Sequence, residues 1–307
     1  MTMQWLTDLL VYFVVRVAIC LVQAMRVETA ARLARGMAWV FAQVLRIRAT
    51  VVDDNLAHAF PHLSAPSRRA LARRMWEHLF LLVVEVAQTP RKVRETNWRD
   101  FVSLRNSDTM VRLLLSDRPT LIITAHFGNF EVAGYVLGIL GFPTYTVART
   151  LDNPYLDRFV NRFRSGTGAR IVPKTGGYDQ IVEVLGRGEA MAFLADQYAG
   201  EKGCWVEFFG RPASAHKAIA LLALEHDAPV AIAAASRLDR PMRFEVDVPA
   251  WIDPRETGAD VGTIRDLTQW YTSQLEEAIR RAPEQYWWLH RRWKDTRKRR
   301  RRAKQAA

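Results

Sequence analysis

From Pro119 onward the chain alternates short, dense apolar runs with longer segments whose apolar residues recur every three or four positions. The runs fall at 120–125, 144–147, 170–172, 190–195, 206–209, 230–236 and 243–248. Helical patterns lie between many of them, at 129–140, 154–164, 178–187 and 213–225, and a last amphipathic one covers 261–282. Strands of this length joined through helices satisfy their backbone in a sheet whose neighbours run parallel, because a parallel pair needs a long crossover. The expected fold class is therefore α/β, a mostly parallel sheet flanked by helices, occupying 119–290. No linker rich in Gly or Ser divides the chain, and no repeat of fixed period appears.

The 118 residues before the sheet read as helix. Over 28–45, Leu33, Met37, Val40, Phe41 and Val44 share one side. Ser64 starts another helix, whose buried face is expected to carry Met75, Leu79, Leu82 and Val86, and Pro90 is expected to end it. The first 26 residues stand apart. Leu9–Met25 is apolar except for Arg16 and Gln23. At ~1.5 Å per residue it approaches, but falls slightly short of, a bilayer core of about 30 Å. Asp8, Arg16 and Gln23 lie within about 80° of one another on a helical wheel, which leaves a continuous apolar face. The expectation is a membrane-associated helix at 1–26, either spanning or lying in the interface with Arg16 snorkelling. Arg26, Arg32, Arg35, Arg46 and Arg48 follow it, and no basic residue precedes it. A cytoplasmic body is the corresponding expectation.

Charge separates the ends further. The chain of 307 residues carries 44 Lys and Arg against 32 Asp and Glu. Of the fourteen residues 291–304, ten are basic and one, Asp295, is acidic, so most of the net +12 sits in a tail at 291–307. Such a tail is drawn to polyanions. With an apolar helix in the same chain, anionic membrane lipid is the expected partner, and nucleic acid is not expected. Two isolated cysteines, Cys20 and Cys204, provide neither a disulfide framework nor a zinc spacing.

The segment with chemistry in it is His126-Phe127-Gly128-Asn129-Phe130-Glu131. His126 ends an apolar strand, and Asn129 is placed to cap the helix that carries Glu131. The carboxyl ends of strands are where open α/β sheets gather catalytic groups. On a continuous helix residues five apart diverge, so His126 and Glu131 meet only if the chain turns at 127–129. A carboxylate on one imidazole nitrogen fixes the tautomer and frees the other nitrogen as a base. The expectation is that Glu131 orients His126, with a substrate hydroxyl in the place of a catalytic serine. There is no His-Glu-x-x-His zinc motif, no Gly-x-Ser-x-Gly elbow and no Walker loop.

This His-x4-Glu motif resembles that of the bacterial lipid A late acyltransferases, within the wider glycerolipid acyltransferase superfamily. Four further segments resemble the family in order: 55–64 with its Asn and Phe-Pro, 148–168 with its Arg and Asn-Pro, 193–213 with its Asp-Gln and Phe-Phe-Gly, and 285–294. The resemblance implies transfer of a fatty acyl group from an acyl carrier protein or coenzyme A thioester to a lipid hydroxyl at the inner membrane, with no cofactor and no metal. It implies His126 as general base with Glu131 as its partner, and Arg149, Arg164, Asp196 and Asn129 as contacts to substrate. Departures are Phe130, where the family commonly has Trp, and 213–220, with His216 and Lys217. These leave the acceptor open between lipid A and another membrane glycolipid, such as a phosphatidylinositol mannoside, and a hydrolase on the same scaffold is the further alternative. Trp287, Trp288 and Trp293 are read either as an interfacial anchor or as packing.

Overall fold

The computed structural model describes residues 2–256 and 262–294. Five helical pieces come first: α1 (Thr2–Ala24), α2 (Val27–Trp39), a π turn (Val40–Val44), α3 (Ala49–Ala59) and α4 (Ala65–Lys92). The α/β part follows as β1 (Val102–Arg105), α5 (Asp108–Leu114), β2 (Thr120–Thr124), α6 (Phe130–Ile139), β3 (Tyr145–Ala148), α7 (Pro154–Ser165), β4 (Arg170–Pro173), α8 (Tyr178–Gly186) and β5 (Ala190–Leu194). It continues with β6 (Cys204–Phe208), β7 (Arg211–Ala215), α9 (Lys217–Glu225), β8 (Val230–Arg237), β9 (Phe244–Ile252) and α10 (Ile264–Arg281).

Seven strands form one sheet in the order β1-β9-β8-β2-β5-β3-β4. The five from β8 to β4 run parallel. β9 is antiparallel to β8, and β1 is parallel to β9. The fold is thus α/β, with a mostly parallel sheet flanked by helices. Leu121, Ile123, Met191 and Ile232 are fully buried at the sheet centre, which explains why these strands read as unbroken apolar runs.

Several elements differ from expectation. The region before 119 is not wholly helical: β1 joins the sheet edge and α5 follows it. Both are too short to show a period. α4 runs through Pro90 to Lys92, because a proline so near a helix end removes only one of its last hydrogen bonds. Its buried positions include Leu71, Met75, His78, Glu85, Gln88 and Thr89, whereas Leu79, Leu82 and Val86 are half-buried. In α2 the buried side carries Ala30, Ala31, Ala34 and Ala38, while Leu33 and Met37, like Val44 in the π turn, face outward; small residues let α2 lie close against α4. Residues 213–215 are strand rather than helix, because Phe209 and Gly210, at φ 51° and 68°, turn β6 back on β7 as a hairpin. The basic tail beyond 294 and residue 261 lie outside the described residues. The start of that tail belongs to the body: Arg292 is buried and donates to the Ser214 carbonyl.

Candidate functional site

The register of two parallel strands builds the site. Thr124 at the end of β2 pairs with Leu194 at the end of β5. Two residues beyond each lie His126 and Asp196, which therefore emerge side by side at the same edge of the sheet. His126 Nδ1 lies 2.9 Å from Asp196 Oδ1, and the His126 backbone N–H donates to the same oxygen at 3.1 Å. Asp196 is buried, and the His126 side chain is 16% exposed.

The carboxylate on His126 is thus Asp196, not Glu131. Glu131 instead receives a two-pronged contact from Arg164, through Nε at 3.1 Å and through Nη2. Placed in the first turn of α6, Glu131 turns toward Arg164 on α7, and the end of β5 supplies the nearer acid. Burial alone would depress the His126 pKa; the charge and hydrogen bond of Asp196 outweigh it and raise it, with the Glu131 charge adding at longer range. Burial pushes Asp196 up, but His126 outweighs this and holds it below the usual carboxylate value. The pair is electrostatically matched. With Nδ1 on Asp196, the Nε2 atom is the one left for chemistry; the Gln197 amide is 3.4 Å from it. The rings of Trp287 and Phe130 stand 5.2 and 5.5 Å from the imidazole.

A buried polar frame holds the turn. Gly128 has φ 59°, and a Cβ there would sit 1.8 Å from the Ala235 carbonyl oxygen, so only glycine fits. Asn129 N–H donates to that oxygen at 2.7 Å, and Gly128 N–H donates to Gln285 O at 2.9 Å. Asn129 is fully buried and its side chain is spoken for: Oδ1 accepts from Val132 N–H, and Nδ2 donates to Glu85. It caps α6, with both polar atoms of its side chain bonded inside the protein. Behind it, Glu85 on α4 is clamped by Arg237 Nε and Nη2, both at 2.6 Å. Arg237 Nη1 donates to His78 Nδ1, so His78 Nε2 carries the proton it gives to Gly128 O at 3.2 Å. Burial, reinforced by Arg237, keeps His78 neutral with a strongly lowered pKa.

Beside this turn an apolar cavity of about 100 Å³ lies between α6, α7 and the sheet. Ile122, Ala133, Gly134, Leu137 and Phe193 line it, with Phe130, Glu131 and Arg164 among its walls. His126 borders it through its neighbours Thr124 and Phe130. Arg149 stands apart, its side chain 77% exposed and paired with exposed Asp152. The three tryptophans form no common anchor: Trp288 is core, Trp293 packs on Phe208 and His58, and Trp287 sits over His126. The outer motifs meet in space, since Asn55 Nδ2 donates to the carbonyls of Trp288 and His290, and Phe60 packs on Phe209 and Trp288. The signals for the buried frame were a Glu and a His seven residues apart on the inner side of an apolar helix; the partners Arg237 and Gln285 carry no local signal.

A histidine–aspartate pair thus stands at the strand ends, next to an apolar cavity walled by an arginine held on Glu131. The chain belongs to the bacterial lipid A biosynthesis acyltransferase family, whose model matches residues 1–295, and it is an acyltransferase. It is 26% identical over 257 residues to the lipid A biosynthesis palmitoleoyltransferase of Escherichia coli, covering 81% of this chain and 80% of that one. It is 23% identical over 270 residues to the lipid A biosynthesis lauroyltransferase of the same species, covering 86% and 84%. Among solved structures it is similar to the 1-acyl-sn-glycerophosphate acyltransferase PlsC of Thermotoga maritima, with a TM-score of 0.36 at 12% identity over 82% of this chain and 98% of that one.

Proposed function

We propose that the chain transfers a fatty acyl group from an acyl carrier protein or coenzyme A thioester to a hydroxyl of a lipid A precursor, at the cytoplasmic face of a bacterial inner membrane. The observation that carries the chemistry is the 2.9 Å contact between His126 Nδ1 and Asp196. It commits Nδ1 as donor and leaves Nε2 basic. His126 Nε2 takes the acceptor's hydroxyl proton as that oxygen attacks the thioester carbonyl carbon. The tetrahedral intermediate then expels the thiolate, which takes the proton back from Nε2. Asp196 stabilises the imidazolium between these steps. Glu131 occupies Nε and Nη2 of Arg164, which leaves Nη1 as the donor we assign to an acidic group of the acceptor, a task suited to a guanidinium. The exposed apolar face of α1 and the arginines after it supply the membrane contact.

Mass spectrometry of membrane lipids tests this reading. Cells expressing the wild-type chain are expected to carry a lipid A species heavier by one acyl chain than cells expressing His126→Ala; an unchanged lipid A profile with a new acylated glycolipid of another class would reassign the acceptor.

The cavity gives a second test. A Cβ on Gly134 would meet nothing within 4 Å, yet this residue lines the cavity. Gly134→Leu is expected to lower transfer from long-chain donors on the order of 10-fold or more, with little change in melting temperature. Equal loss for short and long donors would show that the acyl chain lies elsewhere.

A further inference from the structure

We propose that α1 lies in the plane of one leaflet and does not cross the bilayer, both of its ends staying on the side of the catalytic body. This rests on the membrane reading above and settles how that contact is made. The half-buried positions of α1 include Asp8, Tyr12, Arg16, Ile19 and Gln23, a single stripe at helical spacing. The stripe is docked along its length. Asn153 Nδ2 donates to the Asp8 carbonyl at 2.9 Å. Tyr12 packs on Tyr155 at 5.8 Å, and the Arg16 guanidinium lies 4.6 Å above Phe159. Gln23 donates to Ala87 O at 2.8 Å, and Gln88 donates back to Val22 O at 2.6 Å. From Asp8 to Gln23 this is about 22 Å of helix laid against α7 and α4. Arg16 therefore stacks on a ring instead of reaching for a headgroup.

A crossing helix would carry those partners with it. The loop before α7 and the start of α7 would enter the hydrocarbon beside Asp8, and with them exposed Arg149, Asp152 and Arg158. Irregular backbone and exposed charged side chains are not tolerated in contact with lipid. The face opposite the docked stripe has no such conflict. Leu6, Leu10, Phe13, Val17 and Leu21 fall within about 80° of one another on the wheel, and each is 41–63% exposed. In an ordinary interfacial helix the helix's own polar face turns to water; here the body of the protein takes that place. α2 continues the pattern, with Leu33, Met37 and Trp39 exposed on the same helix as exposed Arg32 and Arg35. α7 also links anchor to cavity: Tyr155 and Phe159 meet α1, and Phe163 and Arg164 wall the cavity.

Cysteine accessibility in the full chain decides the matter. In a Cys20→Ser, Cys204→Ala background, Gln4→Cys and Glu225→Cys are probed separately with a membrane-impermeant maleimide, in intact spheroplasts and after lysis. The expected result is that the protein sediments with membranes and that both cysteines react only after lysis. Labelling of Gln4→Cys in intact spheroplasts, with Glu225→Cys still protected, would overturn the in-plane helix while leaving membrane association standing. Recovery of the chain in the soluble fraction would overturn membrane association itself, and the in-plane helix with it.

Discussion

Replacing His126 by Ala is expected to lower acyl transfer by about 10²–10⁴-fold while leaving the fold intact, because the imidazole stands beyond the end of β2 and is not a member of the hydrophobic core. Asp196→Asn is the more discriminating variant. The base works as neutral imidazole, so activity is lost as pH falls through the His126 pKa. Burial lowers that pKa, but Asp196 more than compensates, so the acid limb of the wild-type kcat/KM profile is expected above the ordinary histidine value of 6.5. Removing the Asp196 charge leaves burial unopposed except by the more distant Glu131. The limb then moves to lower pH, while kcat falls because the imidazolium has lost its partner. Rates measured from pH 5 to 9 separate the two effects. A profile for Asp196→Asn whose limb coincides with wild type would mean that Asp196 does not set the basicity of His126.

That His126 would stand at a strand end was legible from the sequence, because a dense apolar run followed by a glycine-containing turn and a helix cap has few other solutions. Its partner was not legible in the same way. Asp196 also ends an apolar run, but the insertion of β5 between β2 and β3 is a matter of strand order, and local pattern does not encode which strands become neighbours. Only adjacency in parallel register, with Thr124 opposite Leu194, brings the two ends together. The nearer acid in sequence, Glu131, was the natural choice, and the geometry of α6 gives it to Arg164.

The same distinction runs through the fold. Central strands buried on both faces declared themselves, whereas β1, four residues long at the edge of the sheet, left no period to read. α2 misled in a more informative way. Leu33 and Met37 mark one side of the helix, and in a soluble protein that side would be core. Here alanines make the close contact with α4 and the large residues are exposed, an inversion that the proposed membrane contact would explain. The Phe209-Gly210 turn was hidden because Phe is an unusual residue at positive φ; the close packing of Phe208 and Phe209 on Phe60, Trp288 and Trp293 holds it there.

Glu85→Ala is expected to destabilise the protein by about 3–5 kcal/mol, the cost of leaving a buried charge without its partner. Glu85 is fully buried and accepts from Arg237 twice, from Asn129 Nδ2 and from the Met242 N–H. Its loss strands the Arg237 guanidinium beside a neutral His78. For a chain of this size the melting temperature is expected to drop by roughly 6–20 °C. Glu85→Met combined with Arg237→Met removes both charges and is expected to recover much of that stability, since a buried ion pair is often replaceable by apolar side chains of similar volume. Activity is expected to stay low in the double variant even well below its melting temperature. The network's second task is to fix a turn: Asn129 loses the acceptor for Nδ2, and His78 loses the Nη1 donor that commits its Nε2 proton to the Gly128 carbonyl. A double variant that is both stable and fully active would show that the glycine turn and the β2–β5 register aim His126 unaided. A stable but inactive one assigns the aim to the buried pair, with the cost of its burial sustained by what it does for the histidine on the far side of Asn129.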